Sequence, residues 1–180
     1  MAEALSPILP PPTEALVHRV LKAACERGLK LATAESCTGG LLASLLTDVP
    51  GCSHAFERGF VTYTDEAKHQ MLGVPDGVLS GPGPVSEPAA SAMAAGALER
   101  SGADLTLAVT GWMEAAPGQP AGRVWFASAA RGREVVARHM EFGDAGRAAL
   151  RLACLETGLQ MLMERLEETA QASSAAAPRT

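Results

Sequence analysis

The segment TAESCTGG at residues 33–40 decides how the chain folds. It overlaps the apolar run 29–34, which reads as a short buried strand, and it precedes residues 41–47, which predict a helix. Small residues and glycines between a buried strand and a helix are typical of the turn in an α/β unit. Ligands of such proteins bind where these turns leave the sheet, so the search for chemistry begins at Ser36.

Helices and strands alternate outward from this segment. The apolar spacing and turn residues predict four further helices. One ends at Gly28, one can be capped by Asp65 and runs towards Gly73, one can be capped by Ser86 and runs towards Gly102, and one carries a leucine stripe over 152–166. They also predict strands at 56–63, 105–110, 124–130 and 134–142, the last two joined by a hairpin at 131–133. Together these elements predict a single-domain α/β fold, a three-layer α/β/α sandwich with a mixed sheet.

The chain length of 180 residues fits one domain with short ends. Residues 1–12, with three consecutive prolines, are predicted to be a flexible leader. Residues 13–168 form the predicted folded domain. Residues 169–180, rich in Ala and Ser, are predicted to be a flexible tail.

The composition argues against several classes of function. Fifteen Lys and Arg against 20 Asp and Glu give a net charge of -5, which disfavours nucleic acid as a partner. No secretory leader and no run long enough to span a membrane is visible, so we expect a cytoplasmic protein without a membrane partner. The four cysteines form no CxxC pair and do not cluster with the four histidines, so neither a metal site nor a disulfide framework is predicted.

Ser36 is the first candidate for catalysis because of its position between a strand and a helix. The N–H groups at a helix start can bind a phosphate or an oxyanion, and Gly39 and Gly40 would let a ligand approach the backbone. The alternative is that Ser36 or Thr38 only caps the helix. Cys37 is either a second possible nucleophile or a buried thiol.

Tyr63 and Lys68 form the second candidate pair, spanning a strand end and the first turn of the next helix. A serine needs a base to remove its proton, and a desolvated lysine or a tyrosine relay can do this without histidine. The alternative is that Tyr63 packs at the sheet edge while Lys68 is solvated. Arg58 either binds a substrate group or forms an exposed ion pair with Glu57.

Taken as a set, these residues resemble a known family. TAESCTGG at 33–40 is similar to that segment of the CinA carboxy-terminal domain family at every position. Further segments agree with the family in the same order, at 56–63, 66–68, 71–74, 85–87, 101–104, 108–111 and 122–127. We expect the stand-alone amidase form, since 180 residues leave no room for the amino-terminal molybdopterin-binding-like domain of longer relatives.

The resemblance implies hydrolysis of the carboxamide of nicotinamide mononucleotide to nicotinic acid mononucleotide and ammonia, without a metal or organic cofactor. The family's catalytic residues fall on Ser36, Tyr63 and Lys68. The small-molecule nucleotide is the expected partner, and a homo-oligomer is a family-level expectation. The predicted substrate-binding residues are Cys37, Thr38, Gly39, Gly40, Arg58, Thr110, Gly111 and Arg147.

The chain departs from the family pattern after Thr110 and Gly111. The family usually has a glycine-rich loop there, whereas residues 112–120 read WMEAAPGQP and are bulkier. This loop can block a ligand or place Glu114 beside a phosphate. Arg147 follows an interrupted segment, so it either binds phosphate or pairs with Asp144. A catalytically silent paralogue that binds a nucleotide or a protein is therefore the alternative function.

Overall fold

The computed structural model describes residues 9–176, with side chains described up to residue 171. Its sheet contains five strands, which are β1 (Leu31–Glu35), β2 (Phe56–Val61), β3 (Leu105–Gly111), β4 (Arg123–Ala130) and β5 (Val136–Glu141). The strand order is β2-β1-β3-β4-β5. β1 pairs in parallel with β2 and β3, while β4 pairs antiparallel with β3 and β5, so the sheet is mixed as predicted.

Helices cover both faces of the sheet, which confirms the predicted three-layer α/β/α sandwich. They are α1 (Pro11–Cys25), α2 (Leu41–Leu45), α3 (Asp65–Leu72), α4 (Asp76–Ser80), α5 (Glu87–Glu99) and α6 (Arg147–Ala176). α1, α2 and α6 pack on one face around an aliphatic core. α3, α4 and α5 lie on the other face, where the core is rich in alanine.

The N-terminal ends of two helices bear on the sequence predictions, because one corrects a predicted N-cap and the other confirms one. Thr64, and not Asp65, is the N-cap of α3, because its extended backbone lets its hydroxyl accept the Ala67 N–H at 3.1 Å. Ser86 caps α5 as predicted, accepting the Ala89 N–H at 3.3 Å. α4 was not predicted, since its five residues bury no side chain and leave no apolar periodicity.

The two ends of the chain differ from the expected boundaries. Pro11 and Pro12 form the first turn of α1, where a proline loses no helical hydrogen bond. Residues 1–8 of the predicted leader lie outside the described residues. α6 continues past Glu168 to Ala176, and 177–180 are outside the description. Within residues 9–176, no helix is both long and apolar enough to cross a membrane.

The topology places a cleft at the carboxyl ends of β1 and β3. From β1 the chain crosses to β2 through α2 on one face, and from β2 it returns to β3 through α3, α4 and α5 on the other face. The chain therefore leaves the carboxyl ends of the neighbouring strands β1 and β2 towards opposite faces, and β3 ends at the same edge because it is parallel to β1. Such a switch point opens a crevice in an α/β sheet, as the sequence led us to expect.

The close packing of α5 against the end of α3 generates the first prediction. A Cβ placed on Gly96 would lie 1.9 Å from the carbonyl oxygen of Leu72. We expect Gly96→Ala to lower the free energy of unfolding by about 1–3 kcal/mol, because two backbones must move apart. Urea unfolding followed by circular dichroism measures this. Gly77→Ala in α4 is the control, since no atom lies within 4 Å of its added Cβ; an equal loss there would contradict the packing argument.

Candidate active site

A cavity of ≈ 430 Å³ opens at the switch point. Its walls come from the turn after β1, the end of β2 with the start of α3, the end of β3 with the following loop, and the start of α6. The residues lining it are Ser36, Cys37, Tyr63, Asp65, Lys68, Pro84, Val85, Thr110, Gly111, Trp112, Met113, Glu114, Ala115, Ala116 and Arg147. The three predicted catalytic residues therefore face one cavity.

The turn that carries Ser36 is built around the carboxylate of Glu35. This side chain is fully buried at the end of β1. Five groups donate hydrogen bonds to its two oxygens: Thr33 Oγ1 at 3.1 Å, Thr38 Oγ1 at 2.7 Å, and the N–H groups of Gly40 at 3.0 Å, Leu42 at 3.1 Å and Ala43 at 2.8 Å. A buried charge is tolerated only when it is hydrogen-bonded in this way. Glu35 thus fixes the path of residues 36–43.

This anchoring changes the roles predicted for three turn residues. The hydroxyl of Thr38 and the N–H of Gly40 are used by Glu35, and the N–H of Gly39 donates to the carbonyl of Ser36 at 3.2 Å. These groups are internal to the turn, so they do not face a ligand as expected. Within residues 9–176, the N–H groups of Cys37 and Thr38 have no hydrogen-bond acceptor. They are the turn's remaining donors.

The capping alternative for Ser36 is wrong. α2 begins after Gly40, whose φ of 95° suits glycine, and no side chain caps this helix. Ser36 is 7% exposed and lines the cavity, and its N–H donates to the carbonyl of Val109 at the end of β3, at 3.0 Å. The hydroxyl is therefore presented from a rigid backbone that spans β1 and β3.

Cys37 lies beneath the cavity as a buried thiol. It is 3% exposed, and its hydrogen bond raises the pKa of Cys154 on α6, together with the burial of that residue. The carbonyl of Cys37 accepts a hydrogen bond from Arg151 Nε at 3.1 Å. Arg151 and Cys154 of α6 thus contact the turn at Cys37. These contacts favour the interpretation of Cys37 as a buried thiol over that as a nucleophile.

Lys68 is buried, which rules out the solvated alternative. It is 2% exposed, and its Nζ donates to the backbone carbonyl of Tyr63 at 3.2 Å. Burial lowers the pKa of Lys68 below its ordinary value, while the charge of Asp65, whose Oδ1 lies 3.8 Å away, and interaction with Cys37 partly offset this. A lysine with a lowered pKa has an enlarged neutral fraction and can act as a base.

Tyr63 places its backbone and its ring in different parts of the site. Its carbonyl, and not its phenol, contacts Lys68. The residue is 66% exposed, and its phenol interacts with the guanidinium of Arg147 at the mouth of the cavity. Tyr63 therefore positions Lys68 through its backbone and lines the entrance with its ring.

Arg147 lies at the same entrance and pairs with Glu114. Its Nη2 and Nε donate to Glu114 Oε1 at 2.8 and 3.2 Å, and this contact raises the pKa of Arg147. The predicted alternative partner, Asp144, is not the one observed. The sequence could not identify Glu114 as the partner, because it lies 33 positions away in the chain.

The loop at residues 112–120, where the sequence departs from the family pattern, extends the pairing of β3 with β4. The N–H of Trp112 donates to the carbonyl of Arg123 at 2.9 Å, and Ala116 and Gln119 form a small bridge around residues 117–118. The hydroxyl of Thr110 donates a hydrogen bond to the carbonyl of Pro84 at 2.7 Å. Thr110 lines the cavity, but its hydroxyl proton is already engaged in this bond.

Gly111 and Arg58 have different relations to the cavity. Gly111 lines it, and an added Cβ there would lie 2.7 Å from Val124 Cγ2. Arg58 lies outside it, in register with Ala32 near the other end of β1. The Arg58 guanidinium pairs with Glu57 at 2.6 Å, as in the ion-pair alternative, and the structure does not bring Arg58 together with the other predicted site residues.

Residues missed by the sequence reasoning support the site from outside the cavity or at its edge. The sequence signal for Glu35 is a lone carboxylate inside a buried strand, followed by several small residues. The sequence patterns assign Asp65 only a helix cap and assign no role to Arg151. Among residues 9–176, no cluster of three or more His, Cys, Asp or Glu side chains could hold a metal ion.

The fold and this cavity define an α/β protein with a buried serine and a buried lysine facing one crevice. The chain belongs to the CinA C-terminal domain family, whose model matches residues 13–166. This confirms the resemblance inferred from the sequence.

Relatives and solved structures agree with this membership. A nicotinamide-nucleotide amidohydrolase PncC from Escherichia coli is 45% identical over 152 residues, which are 82% of this chain and 89% of the relative. A putative competence-damage inducible protein from Symbiobacterium thermophilum is 55% identical over 124 residues, 67% of this chain but only 29% of the relative. The crystal structure of a competence/damage inducible protein from Agrobacterium tumefaciens is 42% identical with a TM-score of 0.85, covering 93% of this chain and 99% of that one.

The role of Glu35 generates the second prediction. Glu35→Gln replaces one carboxylate oxygen by an NH₂ group, which faces N–H or O–H donors whichever way the amide is turned. We expect the free energy of unfolding to fall by about 1–3 kcal/mol, as for a buried polar group left without its partner. Chemical unfolding measures it. Glu99→Gln, at an exposed ion pair, should change it by less than about 1 kcal/mol, and equal effects would show that Glu35 is no anchor.

Proposed function

We propose that this protein is an amidohydrolase that converts nicotinamide mononucleotide to nicotinic acid mononucleotide and ammonia. The observation that carries the proposal is the cavity shared by Ser36 and the buried Lys68. The name of the Escherichia coli relative, which this chain matches over most of its length, supports the substrate.

The first step is attack of Ser36 Oγ on the carboxamide carbon. The serine proton passes to the neutral Nζ of Lys68, whose lowered pKa makes the unprotonated form accessible. The backbone carbonyl of Tyr63 keeps this amine in place. Such proton transfer typically contributes about 10²–10⁴ in rate.

The tetrahedral intermediate requires donors for its oxyanion. The N–H groups of Cys37 and Thr38 are suited to this, because they belong to the turn that carries Ser36 and Glu35 does not use them. A donor held by a rigid turn needs no reorganisation as charge develops.

The intermediate then breaks its carbon–nitrogen bond. Lys68 returns the proton to the departing nitrogen, ammonia leaves, and an ester to Ser36 remains. Water attacks this ester as Lys68 again accepts a proton, and the carboxylic acid product is released with a free serine. Water is the only co-reactant of this sequence.

The phosphate of the substrate belongs at the cavity mouth, near Arg147. A guanidinium donates to two phosphate oxygens at once and suits this group better than an ammonium. Lys68, the other cationic side chain among the residues lining the cavity, is occupied in its interior. The expected homo-oligomer stays a prediction.

Ammonia release provides the direct test. We expect turnover of nicotinamide mononucleotide by the wild type, loss to background in Ser36→Ala, and a loss of about 10²–10⁴ in kcat in Lys68→Met. A coupled ammonia assay measures the rates, with circular dichroism to show that each variant is folded. Ser80→Ala, which removes an exposed hydroxyl on α4, is the matched control and should keep full activity.

The competing function is a catalytically silent binding protein. The panel for the assay therefore includes nicotinamide, its riboside and the dinucleotide besides the mononucleotide. Turnover that persists in Ser36→Ala would contradict the serine mechanism. No turnover of any compound, together with a raised melting temperature for one of them, would favour the binding protein, since a ligand that binds the native state stabilises it.

The pH dependence of the reaction tests the role of Lys68. Because the base acts when neutral, kcat/KM should rise with pH through the lowered pKa of Lys68. Asp65 holds that pKa up, so Asp65→Asn should move the rising limb to lower pH. Glu66→Gln removes a neighbouring exposed charge and is the control. A limb that does not move in Asp65→Asn, or that moves equally in both variants, would exclude Lys68 as the base.

A further inference from the structure

The charges that line the cavity are balanced, and this has consequences for an anionic ligand. Two acidic side chains, Asp65 and Glu114, face two basic ones, Lys68 and Arg147. The first acid pairs with Lys68 in the interior at 3.8 Å, and the second pairs with Arg147 at the mouth at 2.8 Å. The mouth, where an anion would enter, therefore carries no net formal charge from this pair.

Glu114 occupies one of the two edges of the Arg147 guanidinium that could bind an incoming anion. Both Nε and Nη2 of Arg147 donate to the same carboxylate oxygen, at 3.2 and 2.8 Å. The oxygens of a phosphate would engage the same edge of the guanidinium. A phosphate that binds this edge must therefore displace Glu114, and a phosphate that binds elsewhere on the guanidinium stays near the negative charge of Glu114.

The loop keeps Glu114 close to Arg147 without burying it. Met113 is 5% exposed and fixes the loop in the core, while the Trp112 N–H holds the strand pairing at 2.9 Å. The side chain of Glu114 itself is 73% exposed. Such a carboxylate can move aside, so it weakens the binding of an anion and does not abolish it.

We propose that Glu114 is a specificity-determining residue that competes with the phosphate of a nucleotide for Arg147. The proposal rests on the proposed function only in taking a nucleotide as the ligand. Its consequence is selective, because a riboside lacks the phosphate and does not meet this competition. Glu114 thereby lowers the preference of the cavity for phosphorylated over unphosphorylated ligands.

Inorganic phosphate is the first probe, because its binding does not depend on turnover. We expect Glu114→Gln to lower the Kd of phosphate, measured by calorimetry at the same pH for every variant, by roughly 3- to 10-fold. Arg147→Gln should weaken it, and in that background Glu114→Gln should have little further effect. The control is Glu141→Gln, which breaks a comparable exposed pair with Arg123 at 2.9 Å, away from the cavity.

Kinetics provides the second readout. In Glu114→Gln the KM for nicotinamide mononucleotide should fall by a similar factor, while kcat and the KM for the riboside stay unchanged. If the substitution merely changed the shape of the loop, the KM would change for both the mononucleotide and the riboside. An unchanged phosphate Kd in Glu114→Gln, an equal change in Glu141→Gln, or an equal effect of Glu114→Gln in the Arg147→Gln background would overturn the proposal. Failure of the amidase assay alone would count against the proposed function and not against this competition.

Discussion

The buried carboxylate of Glu35 is the interaction on which the site depends. A negative charge inside the sheet is compatible with folding only if nearby donors take the place of water. β1, the turn after it and the start of α2 supply these donors as two hydroxyls and three backbone N–H groups. The same bonds determine where Ser36 lies and which N–H groups of the turn stay unused. The stability of the turn and the placement of Ser36 therefore have a common cause.

The interior and the mouth of the cavity differ in how strongly charges act. Lys68 is almost fully buried, so desolvation outweighs its attraction to Asp65 and its pKa falls. Arg147 and Glu114 are exposed to solvent, where water and salt screen their attraction. The proposed proton transfer would take place in the first environment, and the proposed competition between Glu114 and a phosphate would take place in the second.

The unusual loop at 112–120 changes the entrance and leaves the catalytic turn intact. Its backbone continues the pairing of β3 and β4, and Met113 enters the core. The loop accommodates its bulky side chains because its backbone extends the sheet and Met113 packs in the core. The loop difference therefore bears on which ligands enter, since neither Ser36 nor Lys68 depends on it for a hydrogen bond.

The sequence by itself determined the fold class and the set of catalytic candidates, because strand and helix periodicity and the turn at 33–40 are local patterns. It also indicated Ser36 and Lys68 as residues of one crevice, since strand ends meet at one sheet edge. Burial and partnership required the tertiary structure. That Arg147 pairs with Glu114, that Tyr63 offers its carbonyl, and that Lys68 is desolvated are properties of atoms brought together by folding, and residue spacing carries no information about them.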